Sequence, residues 1–190
     1  IITPTIGRDS LRSALLSVKS QTLASYVHLV IGDGPQQPHV RHWCYSTGAR
    51  YLELPESGKC WGAKARDLGM EIIEKEALAD YVVFLDDDNI FFPTALERYE
   101  KSIRSLMEPA MLCQKVVFHN QFNDGWLEVP RSMPPKMADW DSLNACYRSD
   151  VVVGMRWECD YNHDYLLAQQ VIDKTGEQFH MVDGYAGVHF

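Results

Sequence analysis

Three adjacent carboxylates, Asp86, Asp87 and Asp88, directly follow an apolar run at residues 81–85. The run is rich in β-branched and aromatic side chains and predicts a short strand that is buried on both faces. Adjacent carboxylates repel one another unless a cation neutralises them, and hard oxygen ligands suit Mg²⁺ or Mn²⁺. Because ligands bind at the carboxyl ends of strands in an open α/β sheet, the pattern predicts a divalent-cation site. The alternative is a solvated acidic turn at the start of the next helix.

Basic residues precede this strand. Lys59 lies in a loop of small residues, and Lys64 and Arg66 lie near the start of a helix predicted over residues 62–75. Cations in a first helical turn oppose the helix dipole. A bound anion would remove that conflict, since free N–H groups and these three side chains would together hold a phosphate. Taken singly, each cation is more often a solvated surface charge.

The elements that position these residues follow from hydrophobic periodicity and turn residues. Strands are predicted at residues 1–5, 26–31, 51–54 and 81–85, and helices at residues 9–20, 37–46 and 62–75. Alternating strands and helices predict crossover connections and a parallel sheet whose loops gather at one edge. The loop from Thr5 to Arg8, the turn at Asp33 and the three aspartates are therefore predicted to meet there.

The second half of the chain is less regular. The predicted elements are a helix over residues 93–107, a strand over 110–118, a strand over 139–148, a short helical turn that begins at Ser149, a helix over 162–174 and a loosely alternating tail over 178–190. Residues 119–141 show no sustained period, which fits hairpins or a long functional loop. Trp126 and Trp140 in this region would offer flat apolar faces to an acceptor sugar ring, although tryptophan more often packs in a core.

The composition excludes several classes of protein. A chain of 190 residues with 46% apolar and 23% charged residues is expected to form one globular domain. A formal net charge of −8 argues against a nucleic-acid-binding surface, which needs clustered cations. No apolar run approaches the length of a membrane span, and no signal peptide is visible. The chain begins abruptly with the strand residues Ile1 and Ile2, which is consistent with one module of a larger polypeptide.

The cysteines indicate a cellular compartment. There are five, at positions 44, 60, 113, 146 and 159, widely spaced and without a CxxC pair. This pattern predicts reduced, mostly buried thiols in a cytoplasmic protein, in preference to a disulfide framework or a zinc site.

Six segments resemble the GT-A nucleotide-sugar glycosyltransferases, most closely their large family 2. In chain order they are TPTIGRDSLRSALLSVKSQT, VIGDGP, GAKARDLGM, FLDDDN, RSDVVVGMRW and NHDYLLAQQ. They are similar to the family's opening strand and helix, its VVDDGS turn, its GxxxARNxG helix start, its DxD motif, and the segments before and at the start of its catalytic helix. The chain departs from the pattern at Gly32, Asp67 and His163, where Asp, Asn and Glu are usual.

The resemblance implies a single α/β domain of the GT-A, Rossmann-like type over residues 1–190. Its central sheet is expected to be mostly parallel and flanked by helices, with an irregular acceptor-side C-terminal half. Residues 1–110 would bind the nucleotide sugar, and residues 111–190 would bind the acceptor.

The resemblance also implies roles for individual residues. Lys59 is included among them because of its positive charge in the loop before the predicted helix. The nucleotide-sugar contacts would be Thr3, Pro4, Thr5, Arg8, Asp33, Lys59, Lys64, Arg66, Asp86 and Asp87. Asp88 and Asp86 would bind Mn²⁺ or Mg²⁺, and His189 would supply a further metal ligand. The partners implied are a UDP-linked sugar donor and a saccharide or glycan acceptor.

Glycosyl transfer also needs a base. The acceptor hydroxyl has a pKa far above 7, so a carboxylate must take its proton as the attack proceeds. Asp164, at the family's ED position, is the first candidate, and Asp160 and Glu158 are rivals nearby in sequence. Asp164 is equally well placed to stabilise a helix N-terminus through the dipole alone. A base opposite the leaving group predicts an inverting enzyme, whereas a retaining enzyme would need no such residue.

Three other functions remain as alternatives. A phosphohydrolase would use one of the aspartates as a nucleophile toward phosphate, but the aspartate-phosphatase motif usually lies on the first strand and not some 85 residues into the chain. A nucleotidyltransferase would share the metal and the fold, yet no GxGxRxxP loop follows the first strand. A non-catalytic module would bind the nucleotide sugar without turnover. The sequence favours a metal-dependent glycosyltransferase.

Overall fold

The computed structural model describes residues 1–120, 125–130 and 140–190 of the chain. The strands are β1 (Ile2–Thr5), β2 (Leu29–Gly32), β3 (Arg50–Glu53), β4 (Tyr81–Val83), β5 (Ile90–Phe91), β6 (Met111–Asn120), β7 (Gly125–Val129), β8 (Ala145–Arg148) and β9 (His180–His189). The helices are α1 (Leu11–Lys19), α2 (Pro38–Thr47), α3 (Ala63–Glu76), α4 (Ala95–Ser105), α5 (Ser149–Val152) and α6 (His163–Thr175). Among these helices, none has the length and apolar character needed to cross a membrane.

The first half of the chain forms the predicted parallel unit. Strands β1, β2 and β3 lie side by side in that order, and both pairings are parallel. A parallel bridge from Ile2 to Phe84, one residue past β4, extends the arrangement to the acidic strand. The ends of β1, β2 and β4 therefore open on the same edge, as predicted.

The α/β class is confirmed, but the remainder of the sheet is not mostly parallel. Its strands run in the order β4, β8, β6, β9, β5, with β7 paired to β6. In this sheet β6 and β9 pair in parallel, whereas the pairings of β4 with β8, β5 with β9, and β6 with β7 and β8 are antiparallel. Parallel neighbours need a long crossover, whereas antiparallel strands can be joined directly. The described residues between β6 and β8 contain no α-helix, so the mixed pairing follows from the connections.

Helices cover the sheet on both faces. On one face α3 and α6 bury Ile73 and Leu167 against a cluster that includes Ile2 and Phe84. The approach of α3 is close, because a Cβ added at Gly69 would lie 2.8 Å from a side-chain carbon of Ile2. On the other face α1 and α4 bury a second cluster, whose sheet residues include Val83 and Leu112. Because helices pack on both apolar faces of the sheet, the strands and their ends are held in fixed positions relative to one another.

The irregular region is a hairpin where the structure describes it. Strand β6 extends to Asn120 and pairs with β7, while residues 121–124 and 131–139 lie outside the described part. The predicted strand over residues 139–148 is shorter than expected and begins at Ala145. Before it, Asp141 starts a single 3₁₀ turn, since its side chain accepts a hydrogen bond from the Leu143 N–H and its own N–H donates to Asn144.

A disulfide corrects the prediction that all cysteines are reduced. Cys60 and Cys159 are bonded across 99 residues, with their Cα atoms 5.0 Å apart. Spacing along the chain gives no sign of such a pair, because only the fold brings the two segments together. Cys44, Cys113 and Cys146 are free and buried, as expected. The expectation of a cytoplasmic protein rested partly on reduced thiols, and the disulfide removes that support.

The disulfide predicts a measurable contribution to stability. Replacing Cys60 and Cys159 together by serine should lower the free energy of unfolding by about 2–4 kcal/mol, because a long covalent loop in the unfolded chain is released. Urea unfolding with and without reductant measures this. The reduced parent should match the double variant, and the double variant itself should not respond to reductant. A parent equally stable in both conditions would contradict the bond.

Candidate active site

The carboxyl ends of β1, β2 and β4 lie beside a cavity of about 860 Å³, which the start of α6 and the end of β9 also line. Twelve of the sequence-predicted site residues form part of its wall: Pro4, Thr5, Arg8, Asp33, Lys59, Arg66, Asp86, Asp87, Asp88, Trp140, Asp164 and His189. Its described wall does not include Thr3, Lys64, Trp126 or Asp160. Thr3 instead lies in the interior, with Oγ1 2.9 Å from Nε2 of His28.

The middle aspartate holds two loops together. Asp87 is 4% exposed. Its Oδ2 accepts hydrogen bonds from the Thr5 hydroxyl at 2.7 Å and from the Ile6 N–H at 3.2 Å, and its Oδ1 accepts one from Arg8 at 2.9 Å. Burial raises the pKa of Asp87 above its ordinary value, although the Thr5 hydrogen bond and the charge of Arg8 act in the opposite direction. Both of its oxygens therefore serve the protein and fasten the loop after β1 to the end of β4.

Arg8 reduces the repulsion within the acidic cluster. One guanidinium nitrogen, Nη1, lies 2.9 Å from Asp87 and 2.6 Å from Asp88. The Asp88 side chain is 39% exposed and that of Arg8 is 49% exposed, so both remain accessible from the cavity. Arg8 was predicted to line the nucleotide pocket. The structure places it in the wall of the cavity, and its guanidinium also neutralises carboxylates.

Arg66 is the buried counterpart of Arg8. It lies in the first turn of α3, is 1% exposed, and donates hydrogen bonds to Asp86 and, at 2.7 Å, to the carbonyl of Trp61. Its guanidinium carbon also lies 4.6 Å from the centre of the Trp157 ring, a cation–π arrangement. The helix dipole conflict noted in the sequence is thus relieved at Arg66 by a protein carboxylate. Lys64, by contrast, is exposed to solvent.

The loop over residues 55–61 forms one wall of the cavity in a constrained conformation. Lys59 and Trp61 have φ values of 54° and 47°, in the left-handed region that is unfavourable for residues with a Cβ. Oδ1 of Asp33, at the end of β2, accepts the Gly58 N–H at 2.5 Å, and the Cys60 disulfide and the Arg66 bond to Trp61 add two further restraints. The contacts offset the cost of the conformation and hold the loop in place.

The predicted metal ligands are near one another but do not form a closed cage. Within the described ranges, no group of three or more His, Cys, Asp or Glu side chains is arranged to hold a metal ion. His189 Nδ1 lies 2.5 Å from Oδ2 of Asp141, a partner that sequence reasoning missed because it lies 48 positions away. Burial opposes protonation of His189, but the hydrogen bond to Asp141 and the charges of Asp141, Asp86 and Asp88 outweigh it and raise the pKa of His189 to about 9.

The candidate bases differ in their surroundings. Asp164, in the first turn of α6, lines the cavity, and its Oδ1 lies 3.2 Å from Nε2 of the buried His163. His163 in turn packs edge-on against Trp157, with ring centres 5.2 Å apart. Asp160 is exposed and forms a local turn, accepting the Asn162 N–H at 2.7 Å. Glu158 is exposed as well. The structure therefore brings Asp164, and not its rivals, to the cavity.

The predicted acceptor tryptophans are not the exposed aromatics of the cavity. Trp140 is 9% exposed and stacks on Phe179, with ring centres 4.5 Å apart. Trp126 is 57% exposed on β7 but outside the described wall. Sequence reasoning missed Trp61 and Tyr161, which are exposed and line the cavity. The signal was present, since each is an aromatic residue in a polar loop beside a predicted site residue.

Solved structures share this fold. S. aureus TarS 1-349 in complex with UDP-GlcNAc superposes with a TM-score of 0.77 at 14% identity, and the match covers 99% of this chain and 57% of that chain. The mannosyltransferase PcManGT from Pyrobaculum calidifontis, in complex with GDP-Man and Mn²⁺, superposes with a TM-score of 0.65 at 17% identity, covering 99% and 55%. These likenesses confirm the GT-A fold. The chain spans little more than half of those two solved chains and 35% of a longer TarS chain that has also been solved.

The family follows from the sequence comparison. No curated protein sequence matches the chain. The model of the family described as glycosyl transferase family 2 matches residues 1–159. The match takes in most of the 190 residues, including the aspartates at the end of β4, and stops before α6 and β9. The chain belongs to glycosyl transferase family 2.

Proposed function

We propose that this protein is a divalent-metal-dependent glycosyltransferase that moves a sugar from a nucleoside diphosphate donor, UDP-linked, to a hydroxyl of a saccharide acceptor with inversion. The observation that carries the proposal is one cavity that has the acidic cluster of β4 in its wall together with Asp164 of α6. Family membership supports the same reaction class. Donor binding is assigned to residues 1–110 and acceptor binding to residues 111–190 of a single domain.

The donor is assigned to the side formed by β1 and β2. Pro4, Thr5 and Asp33 line the cavity there, and Lys59 adds a cation from the loop. One oxygen of Asp33 holds Gly58, which leaves the other for the uracil or ribose. A uridine nucleotide is favoured because TarS, which shares the fold, has been solved with UDP and with UDP-GlcNAc. The GDP-Man complex of PcManGT makes guanosine the second candidate.

The residues present fit a divalent cation. Asp88 and Asp86 are the partly exposed carboxylates of the cluster. Nδ1 of His189 is engaged by Asp141, so its second ring nitrogen would be the one to bind the cation, with loss of its proton on binding. Mg²⁺ is commonly held by one or two carboxylates together with substrate phosphates, so a cage of three protein ligands is not required. When bound, the ion would stabilise the negative charge that develops on the departing diphosphate.

Asp164 is assigned as the base. Its carboxylate takes the proton of the acceptor hydroxyl as that oxygen attacks the anomeric carbon. The buried His163 lies 3.2 Å from that carboxylate and packs against Trp157. A base and a leaving group on opposite sides of the sugar give an inverted product.

The phosphohydrolase alternative is disfavoured by one contact and by the order of the strands. A nucleophilic carboxylate needs a free oxygen directed at phosphorus, and both oxygens of Asp87 accept hydrogen bonds. For Asp86 and Asp88 the argument is topological, since the aspartate-phosphatase motif usually lies on the first strand and β4 follows three earlier strands. A module that binds the donor without turnover is the alternative that the following experiments distinguish.

Adjacent aspartates should respond differently to substitution. Asp88→Ala should remove the gain in UDP affinity that Mn²⁺ provides while changing the free energy of unfolding little, since the side chain is 39% exposed. Asp87→Ala, the matched control, should cost about 1–3 kcal/mol of stability because it leaves buried donors without a partner. Calorimetric titration of UDP with Mn²⁺ or with EDTA, together with urea unfolding, measures both. An Asp88→Ala protein that keeps the Mn²⁺ effect would remove Asp88 from the metal site.

Replacing the proposed base should separate binding from chemistry. Asp164→Asn should bind UDP as the parent does but lose acceptor-dependent UDP release by about 10²–10⁴-fold, the usual contribution of a general base. Asp160→Asn, four residues earlier and exposed, should keep activity. The assay follows UDP release from a panel of UDP-sugars with and without saccharide acceptors. Full activity of Asp164→Asn would transfer the role to Asp160 or Glu158, and UDP binding without turnover in the parent would favour the non-catalytic module.

A further inference from the structure

Two exposed aromatic rings meet edge to face at the cavity. Trp61 is 61% exposed and Tyr161 is 81% exposed, and both line the cavity wall. Their ring centres are 6.4 Å apart, and the ring planes meet at 83°. Large apolar rings left open to water in a concave site are typical of binding surfaces.

The protein restrains the backbone segments that carry the two rings. Trp61 follows Cys60, and Tyr161 lies two residues after Cys159, so the disulfide joins the two loops directly beside the rings. The Trp61 carbonyl accepts a hydrogen bond from the buried Arg66, and its φ of 47° is far from the ordinary range. A backbone restrained in this way loses little conformational freedom when a ligand binds to the rings that it carries, which favours affinity.

The position of the two rings relative to the proposed base indicates that they lie on the acceptor side of the cavity. Tyr161 precedes the proposed base Asp164 by three residues, and both line the same cavity. Trp61 ends the loop that carries Lys59 on the donor side. A group packed against these two rings therefore lies where the donor wall meets the segment of the base, which is where an acceptor hydroxyl must be presented.

The shape of the pair favours a sugar ring over a nucleotide base. A flat base is best held between parallel planes, whereas perpendicular rings form a corner. A pyranose is puckered and presents C–H groups on its face and at its edge, so it can contact both walls of such a corner. Aromatic surfaces suit the C–H face of a sugar because that face is apolar.

We propose that Trp61 and Tyr161, joined through the Cys60–Cys159 disulfide, form an aromatic corner that binds a neutral pyranose ring of the acceptor with its apolar C–H face against the protein. This assignment rests on the proposed function, since it names the substrate class that the same cavity takes. It replaces Trp126 and Trp140 as the acceptor-binding aromatics.

Saturation-transfer NMR with methyl β-D-glucopyranoside, in the presence of UDP and Mg²⁺, tests the corner. The parent should transfer saturation to the ring C–H protons of the glucoside, and Trp61→Ala and Tyr161→Ala should each reduce the signal at least fivefold. Trp61→Phe should retain most of it. Tyr45→Ala is the matched control, because Tyr45 is 77% exposed and outside the described wall, and it should behave as the parent. Melting temperatures of all variants verify that each is folded.

The outcomes separate this inference from the proposed function. A parent without glucoside signal, or alanine variants with the parent's signal, would overturn the aromatic corner. A Trp61→Ala protein whose UDP affinity, measured by calorimetry in the same samples, falls in parallel with the glucoside signal would assign the rings to the nucleotide and would also overturn it. Failure of the proposed function has a different signature, since the parent would then either bind no UDP or release no UDP from UDP-sugars with an acceptor present, whatever its glucoside signal.

Discussion

The arrangement of the site depends on one buried carboxylate. Three adjacent aspartates would repel each other at the end of β4, and the protein resolves this by turning Asp87 inward onto Thr5, Ile6 and Arg8. That contact ties the ends of β1 and β4 together. Asp86 and Asp88 on either side stay partly exposed, and each is paired with an arginine. The three adjacent aspartates thus provide both a buried contact that stabilises the fold and an accessible acidic surface.

This charge arrangement explains how an acidic protein can receive an anion. A diphosphate would be repelled by unpaired aspartates, but Arg8 and Arg66 offset part of that charge within the fold. A divalent cation between the carboxylates and the phosphates would offset more, and its charge would dominate the local field. The binding of donor and metal is therefore expected to be mutually dependent, because each reduces the electrostatic cost of the other.

The parts of this arrangement that are local in sequence were predictable, and the parts set by distant contacts were not. Periodicity located β1 to β4 within a few residues, and parallel topology then placed Thr5, Asp33 and the aspartates at one edge. Periodicity carries no information on which distant side chains meet. The pairing of Arg66 with Asp86, the contact of His189 with Asp141 and the disulfide all depend on how separate segments pack. The mixed sheet was not predicted for a similar reason. Its strand pairings are decided by the segments that connect the strands, and the sequence of those segments shows no strong periodicity.

The disulfide has a topological consequence. Because it joins Cys60 to Cys159, the intervening polypeptide is a closed ring that contains α3, β4 and the strands β5 to β8. A single break of the backbone anywhere in that ring leaves both fragments covalently attached. The two halves assigned to donor and acceptor are thus linked covalently twice, once by the backbone and once by the disulfide. A protease that cuts the ring once cannot separate the acidic strand from the helix that carries the proposed base.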